Sequence, residues 1–275
     1  MSVLAIAMVL LPASARGQSL NDKCEKTANR DSYIETQLKN GKILIAGGFE
    51  RVMVGGQAMD KPGAVAKAEI CDPSTGKLRS TGSTIVPRCC GASATLLQNG
   101  QVLIAGGVPN RMRPLNSAEV YDPARGTFTA VDPMRFGRSG HTATLLRNGQ
   151  VLIAGGAGKT AELYNPATKS FAPTEDMHSS RVCGVAALTP GGNVLITGGD
   201  FHVPPGMMVP PSMTRELYDP YTGAFSSLPL LRCRSTSECP RGLGCFVEAQ
   251  GAHDGVCRGC AGSWDLVCVA PWCLP

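Results

Sequence analysis

The sequence is poor in charge and lacks the features that several partner classes require. Only 17% of its 275 residues are Asp, Glu, Lys or Arg, below the roughly 25% of an average globular chain. The net charge of +5 comes with no long basic run and no aromatic-basic stripe, so we expect no nucleic-acid partner. After the N-terminal segment no apolar run is long enough to span a membrane, so we expect no transmembrane segment there.

Histidine is also scarce, which bears on metal chemistry. The four histidines stand singly along the chain: His141, His178, His202 and His253. A metal centre needs several ligands that converge on one ion, and no such set is visible. Asp176, His178 and Ser179 are sequence neighbours, which does not provide the geometry of a catalytic triad. We therefore predict no metal, no cofactor and no catalytic residues.

What the chain has in abundance is repetition. Residues 99–107 and 148–156 read NGQVLIAGG, residues 40–48 read NGKILIAGG, and residues 191–199 read GGNVLITGG. The short apolar run, rich in β-branched residues, is typical of a strand covered on both faces. The Asn-Gly before it favours a two-residue type I′ hairpin. The Gly pair after it allows a turn or the close approach of another backbone.

A second repeated element follows each Gly pair. It reads AEICDP at 68–73, AEVYDP at 118–123, AELYNP at 161–166 and RELYDP at 215–220. The Asp-Pro or Asn-Pro at its end favours a turn. A large apolar residue follows each proline after the same interval: Leu78, Phe128, Phe171 and Phe225. Each unit therefore predicts four strands, and the units recur every ~40 to 60 residues, as propeller blades do.

These units resemble kelch repeats, in which an apolar strand ends in Gly-Gly, a Tyr-Asp-Pro strand end follows, and an aromatic residue precedes the next repeat. The tyrosine is present in three units and Cys71 replaces it in the first. The family's Trp is replaced by Leu78 and three phenylalanines, and both tryptophans of this chain lie in its tail. The resemblance implies an all-β fold, a kelch-type β-propeller with four-stranded blades over residues 31–229.

Only four blades are recognisable, fewer than kelch propellers usually have. The array is a small closed propeller, an open array that another chain completes, or a shortened gene product. A homo-oligomer is one way to complete an open array. The sequence does not decide between these alternatives.

The family often carries Arg-x-x-His where the first strand of a blade begins. Arg138 and His141 match this motif, and three other arginines lie near the same place, Arg88 one position out of register. First strands line the channel of a propeller, where arginines would attract an anion. The candidate ligand-binding residues are therefore Arg30, Arg88, Arg138, His141 and Arg181. The alternative is that the arginines pair with a recurring glutamate and tie blades together: Glu69, Glu119, Glu162 and Glu216.

The N-terminus predicts export. Residues 3–12 form an apolar segment of signal-peptide length, and residues 13–15 read Ala-Ser-Ala, a small-x-small cleavage site. We predict a signal peptide over 1–15, a lead-in over 16–30, and a secreted, periplasmic or cell-surface protein. The alternative is a buried N-terminal strand.

The 12 cysteines agree with an oxidising compartment. Seven of them predict a small disulfide-held module over residues 230–275: Cys233, Cys239, Cys245, Cys257, Cys260, Cys268 and Cys273. Because seven is odd, one tail cysteine pairs outside the tail or stays a thiol. The candidates for such a pair are Cys24, Cys71, Cys89, Cys90 and Cys183.

The insertions between second and third strands indicate where a ligand docks. They span residues 49–67, 108–117, 157–160 and 200–214. Insertions at one equivalent place emerge on one face of a repeat array, which is usually the binding face. We therefore expect a binding protein for a protein or carbohydrate ligand, anionic if the arginines contact it. The alternatives are a carbohydrate-active enzyme of the galactose oxidase kind and a shortened propeller without activity of its own.

Overall fold

The computed structural model describes residues 24, 30–54, 57–60, 63–109, 113–199, 215–228, 232–233, 243–246 and 255–259. The side chains of residues 51, 53–60 and 232–259 are not part of this description. Within these ranges the chain forms short β-strands, and no helix there is long and apolar enough to cross a membrane. The predicted all-β class is confirmed. The predicted signal peptide lies outside the described residues.

Most of the strands form four antiparallel sheets of one design, which we call blades 1 to 4. Strand β1 (Arg30–Asp31) precedes them. Blade 1 contains β2 (Ile34–Gln37), β3 (Ile43–Ala46), β6 (Ala68–Asp72) and β7 (Lys77–Ser80), and its insertion contains β4 (Phe49–Val54) and β5 (Gln57–Asp60). Blade 2 contains β8 (Cys89–Leu96), β9 (Val102–Val108), β10 (Ala118–Asp122) and β11 (Thr127–Ala130).

The other two blades repeat this order. Blade 3 contains β12 (Thr142–Leu145), β13 (Val151–Ala154), β14 (Ala161–Asn165) and β15 (Ser170–Pro173). Blade 4 contains β16 (Val185–Leu188), β17 (Val194–Thr197), β18 (Arg215–Asp219) and β19 (Ala224–Leu228). The tail adds a three-stranded sheet of β20 (Arg232–Cys233), β21 (Leu243–Phe246) and β22 (Gly255–Gly259). The boundaries predicted at 30 and 229 remain predictions.

The hairpins between first and second strands differ from the predicted two-residue turn. In blade 2 the amide of Leu97 donates to Gln101, and the amide of Gly100 donates back to Leu97. Gly100 has φ +87°, whereas Asn99 is not among the residues with positive φ. This is a three-residue loop, a type I turn followed by a left-handed glycine. Blade 4 has the same hydrogen bonds around Thr189 and Gly192, so its hairpin is no longer than the others.

The second strand of a blade that lies between two others is buried on both faces because its alternate residues pack against different blades. In β9, Val102 and Ile104 pack against Leu44 of blade 1. Leu103, in contrast, packs against Val151 of blade 3. All five residues are 0–1% exposed. The continuous apolar run therefore forms two interfaces, and burying one such side chain stabilises the fold by ~1.5–3 kcal/mol.

A tyrosine of the third strand links consecutive blades. Tyr121 packs on Phe128, with ring centroids 4.7 Å apart, and its hydroxyl lies 2.8 Å from the hydroxyl of Thr81 in the segment that leaves blade 1. Burial, aided by the negative charge of Asp132, raises the pKa of the equivalent Tyr164 to about 12. The first strands β2, β8, β12 and β16 lie side by side in this order, so the blades follow one another around an axis.

Candidate binding face

Three kinds of segment meet at one end of the blades. They are the starts of the first strands, the insertions after the second strands, and the connections from each fourth strand to the next blade. The connection at Met134 donates an amide to Asn116 of the insertion at 2.8 Å, and Met177 does the same to Lys159 at 2.8 Å. We call this end the loop face: residues 63–67, 84–88, 113–117, 134–138, 157–160 and 177–181. The opposite end, with the hairpins and Asp-Pro turns, is the turn face.

Three of the predicted arginines lie at the loop face, and Arg30 lies at the equivalent place before blade 1, but the side chains of all four are buried. Arg138 donates to the carbonyl oxygens of Gly155 and Thr160, both at 2.8 Å. It also donates to a carboxylate oxygen of Glu162 at 2.7 Å. The equivalent arginines pair with the equivalent glutamates: Arg30 with Glu69, Arg88 with Glu119, and Arg181 with Glu216. Each arginine residue is 0–3% exposed.

The main chain of the same arginines joins one blade to the next. The carbonyl oxygen of Arg138 accepts the amide of Gly107 in blade 2 at 2.8 Å, and that of Arg181 accepts the amide of Gly156 in blade 3 at 2.7 Å. A Cβ on Gly155 would overlap the Arg181 carbonyl. The Gly pair is therefore the place where the next blade's backbone approaches closely.

This geometry is the structural alternative that the sequence left open. Burial lowers the pKa of Arg88, while Glu119 opposes the shift. Burial raises the pKa of Glu216, but hydrogen bonds from the His178 amide and from Arg181 outweigh it and lower the pKa overall. Because the guanidinium groups are enclosed and paired, the anion-binding hypothesis gains no support from their geometry.

Arg88 is in register with the other arginines, contrary to the expectation from sequence spacing. It lies 18 residues before the glycine whose carbonyl it binds, whereas Arg138 lies 17 residues before its own. The pairing of β8 with β9 has an irregularity between Cys89 and Ala92. This bulge absorbs the extra residue, so the Arg88 side chain reaches the same site.

His141 lies between blades 2 and 3. Its Nε2 is 2.8 Å from the hydroxyl oxygen of Ser93, and the residue is 9% exposed. Burial, with the positive charges of Arg138 and Arg88, lowers the pKa of His141 to about 3. Among the described residues its Nδ1 has no hydrogen-bond partner. Within the described ranges no carboxylate contacts the Nδ1 of His141 as one does in a catalytic triad, and a ligand-binding role for His141 remains a prediction.

The buried glutamates have a second set of partners, the backbone amides of the connections. Glu119 accepts the amides of Ile85 at 2.7 Å and Val86 at 3.1 Å. Glu216 accepts those of His178 at 2.6 Å and Ser179 at 3.2 Å. Each carboxylate therefore fixes the backbone of a short segment, and in blade 4 the Nδ1 of His178 also lies 3.2 Å from a carboxylate oxygen of Glu216.

These segments, which we call the loop tips, are residues 85–86, 135–136 and 178–179. Ile85 is 55% exposed and Phe136 is 40% exposed, and the His178 side chain is 54% exposed. The guanidinium of Arg135 lies 5.1 Å from the centre of the Phe136 ring, a cation–π distance, and the Arg135 amide donates to Glu162 at 2.9 Å. Sequence reasoning missed the tips. The signal was their constant position, two or three residues before each buried arginine.

The five cysteines that precede the tail include both disulfide-bonded residues and thiols. Cys24 and Cys71 form a disulfide, a pairing that the sequence did not indicate, although Cys71 stands where other blades have tyrosine. Cys89 and Cys90 are buried thiols, and Cys183 is disulfide-bonded.

Of the predicted tail cysteines, three lie on described strands, and Cys245 stands opposite Cys257 in the register of β21 and β22. Cys239, Cys260, Cys268 and Cys273 lie outside the described residues, as do His202 and His253. Within the described ranges no group of His, Cys, Asp and Glu could hold a metal ion.

Comparison with known proteins agrees with the blade geometry. The Kelch motif matches residues 88–135, which run from the buried Arg88 through all four strands of blade 2. A solved structure titled "Structure of YjhT" is similar with a TM-score of 0.53 and 14% identity, over 73% of this chain and 66% of that chain. The chain is a kelch-repeat β-propeller protein. Its four kelch blades confirm the predicted fold, whereas the Cys-rich tail module remains a prediction.

At this sequence identity, the likeness to YjhT shows the fold alone. This chain spans a little less than two thirds of that structure, 66%. A comparison with curated proteins gave no match. The function of this kelch protein therefore has to be argued from its own surface.

Proposed function

We propose that this kelch-repeat protein is an interaction protein that binds a protein partner at its loop face. The observation that carries the proposal is the set of loop tips on three consecutive blade junctions. Each tip is held from beneath by a buried glutamate, which is itself fixed by a buried arginine. Binding residues on a rigid scaffold lose little conformational entropy when a partner docks.

The exposed side chains of the loop tips have the character of an interface centre. Ile85 and Phe136 are large apolar residues in solvent, and Arg135 stacks on the Phe136 ring. Aromatic residues and arginine are enriched where protein partners bind. We favour a protein over a carbohydrate, because Arg135 covers one face of the Phe136 ring, the surface on which a sugar would stack.

We also infer that the protein works outside the cytoplasm. The Cys24–Cys71 disulfide supports this inference, because disulfides persist in oxidising compartments. The N-terminal apolar segment and its small-residue cleavage site support it from the sequence. The partner is therefore expected among secreted, periplasmic or surface molecules of the same organism.

The proposal is tested by placing a photo-crosslinking residue at Phe136 or, as a control, at Tyr221. Tyr221 is 97% exposed but lies on the turn face. After irradiation with extracellular and envelope fractions of the producing organism, we expect a protein adduct from position 136 and none from position 221. A crosslinking residue at a third position on the loop face should form an adduct with the same protein. The Ile85→Asp/Phe136→Asp double variant should reduce the yield of this adduct at least tenfold. Adducts from position 221 alone would refute the proposal.

A further inference from the structure

The outward face of blade 4 differs from that of every other blade. In β17, Leu195 and Thr197 are partly exposed, and Val185 in β16 is 45% exposed. The residues equivalent to the β17 pair are 0–2% exposed in the other blades, where the next blade covers them: Leu44, Ala46, Leu103, Ala105, Leu152 and Ala154. The outward face of blade 4 is therefore a partly exposed surface at a position that a neighbouring layer covers in the other blades.

The Gly pair of blade 4 shows the same difference. A Cβ on Gly47, Gly106 or Gly155 would overlap the arginine carbonyl of the next blade. A Cβ on the equivalent Gly198 would have no described atom within 4 Å. Among the described residues, nothing takes the place of that arginine beside blade 4.

The other end of the array is covered without a blade. The outward face of blade 1 carries Ile43 and Ile45, which are 0–1% exposed. They cluster with Cys24 and Cys71, which are joined by a disulfide. Cys24, which lies outside the blades, thus covers this end and is fixed there by a covalent bond, as the terminal repeats of stacked arrays need a cover of their own.

Cys183 points to what covers blade 4. It is disulfide-bonded, yet Cys24 and Cys71 bond each other and Cys89 and Cys90 are thiols. These five are the cysteines that precede the tail. The bond from Cys183 therefore leads to one of the seven tail cysteines, which also accounts for their odd number.

We propose that residues 229–275 cover the outward face of blade 4 and are fixed there by the disulfide between Cys183 and a tail cysteine. The tail leaves blade 4 at Leu228, the end of the outermost strand β19. Cys183 lies two residues before Val185, where the innermost strand β16 begins. The tail is thus attached at both edges of one sheet, and its length is close to that of one repeat. A second copy of the chain has no comparable attachment.

The test starts with the unmodified protein. Non-reducing digestion and mass spectrometry should give a peptide that links Cys183 to a residue between 233 and 273. A free Cys183 thiol, or a bond from Cys183 to Cys90, would overturn the proposal. This step needs no variant and so does not depend on how well a variant folds.

Carbene footprinting then reports what covers the face. We expect labelling of residues 185–187 and 195–197 to rise at least threefold in Cys183→Ser, with no rise in the matched Cys89→Ser variant. Labelling of Ile85 and Phe136 should stay constant as an internal standard. Unchanged labelling in Cys183→Ser contradicts the proposal. A second result would also contradict it: labelling of these residues that rises on dilution of the unmodified protein, together with a halving of its sedimentation mass. A second copy of the chain, and not the tail, would then cover the face.

Discussion

The recurring buried arginine shows that a repeated residue indicates a shared position in each blade but not whether that position binds a ligand or stabilises the fold. Its recurrence with a recurring glutamate predicted either a ring of ligand-binding cations or a set of internal ion pairs. Both interpretations require the same spacing. The decision depends on whether neighbouring carbonyl groups enclose the guanidinium, and that depends on how the insertion folds back at Gly155 and Thr160. Sequence alone does not contain this information.

The ion pair predicts a large loss of stability in Arg138→Met. This change leaves Glu162 buried without its guanidinium, and an uncompensated buried charge costs about 3–5 kcal/mol. Urea unfolding should show this loss. The matched control is Arg135→Met in the same connection, where the arginine is exposed and the change should stay within about 0.5 kcal/mol. Equal midpoints for the two variants would mean that the Arg138–Glu162 ion pair does not stabilise the fold.

His141 predicts a pH dependence of stability. In the unfolded chain a histidine binds its proton near pH 6.5, whereas burial and two arginines lower the pKa of folded His141 to about 3. The unfolded state therefore binds more protons between these two values, and stability falls as the pH falls. The contribution is complete above about pH 6.5 and is lost progressively toward pH 3.

The measurement compares the unmodified protein with His141→Asn. As the pH falls from 6 to 4, the unfolding free energy of the unmodified protein should decrease relative to that of His141→Asn. The decrease should be up to about 1.4 kcal/mol per pH unit. Other titrating groups are common to both proteins and cancel in the difference. A difference that stays constant over this range would show that His141 is not enclosed.

At the scale of the strand and the turn, most of the blade could be predicted from the sequence. The runs ILIA and VLIA are second strands because both of their faces are buried, between two blades in β9 and between blade 2 and Cys24 in β3. The hairpins were predicted with the wrong turn. Asn99 does not need positive φ, because its side-chain oxygen accepts the amide of Gln101 at 3.0 Å, and the following Gly100 alone takes the left-handed conformation. Strands β4 and β5 within the first insertion were not predicted either.

Alanine substitution at the Gly pair should destabilise the fold by a steric overlap, in addition to the cost of a left-handed backbone conformation. Gly47 has φ +67° and Gly41 has φ +78°, but only at Gly47 would a Cβ overlap the carbonyl of Arg88. Gly41→Ala should cost about 1–2 kcal/mol, the penalty of a left-handed alanine. Gly47→Ala should cost at least about 2 kcal/mol more, because the Gly48 to Arg88 hydrogen bond must also shift. Similar losses in the two variants, measured by thermal and urea unfolding, would argue against close blade contact there.

For the whole molecule, repeats specify how blades stack but not how an array ends. Each blade interface recurs in the sequence, so it could be predicted from any one copy. The two ends occur once each and rest on single residues, Cys71 in place of a tyrosine at one end and Cys183 at the other. The loop tips could not be predicted from the repeats either, because their exposed residues differ between blades, whereas the buried glutamates that bind their amides recur.

The most direct test of the central claim is hydrogen exchange of the protein with and without its crosslink-identified partner. Docking at the loop face should slow exchange in peptides that cover residues 84–88, 134–138 and 177–181. Peptides that cover the Asp-Pro and Asn-Pro turns, at 72–77, 122–127, 165–170 and 219–224, should exchange at unchanged rates. Protection confined to these turns would contradict the claim that the partner binds where the buried arginine–glutamate pairs hold the tips.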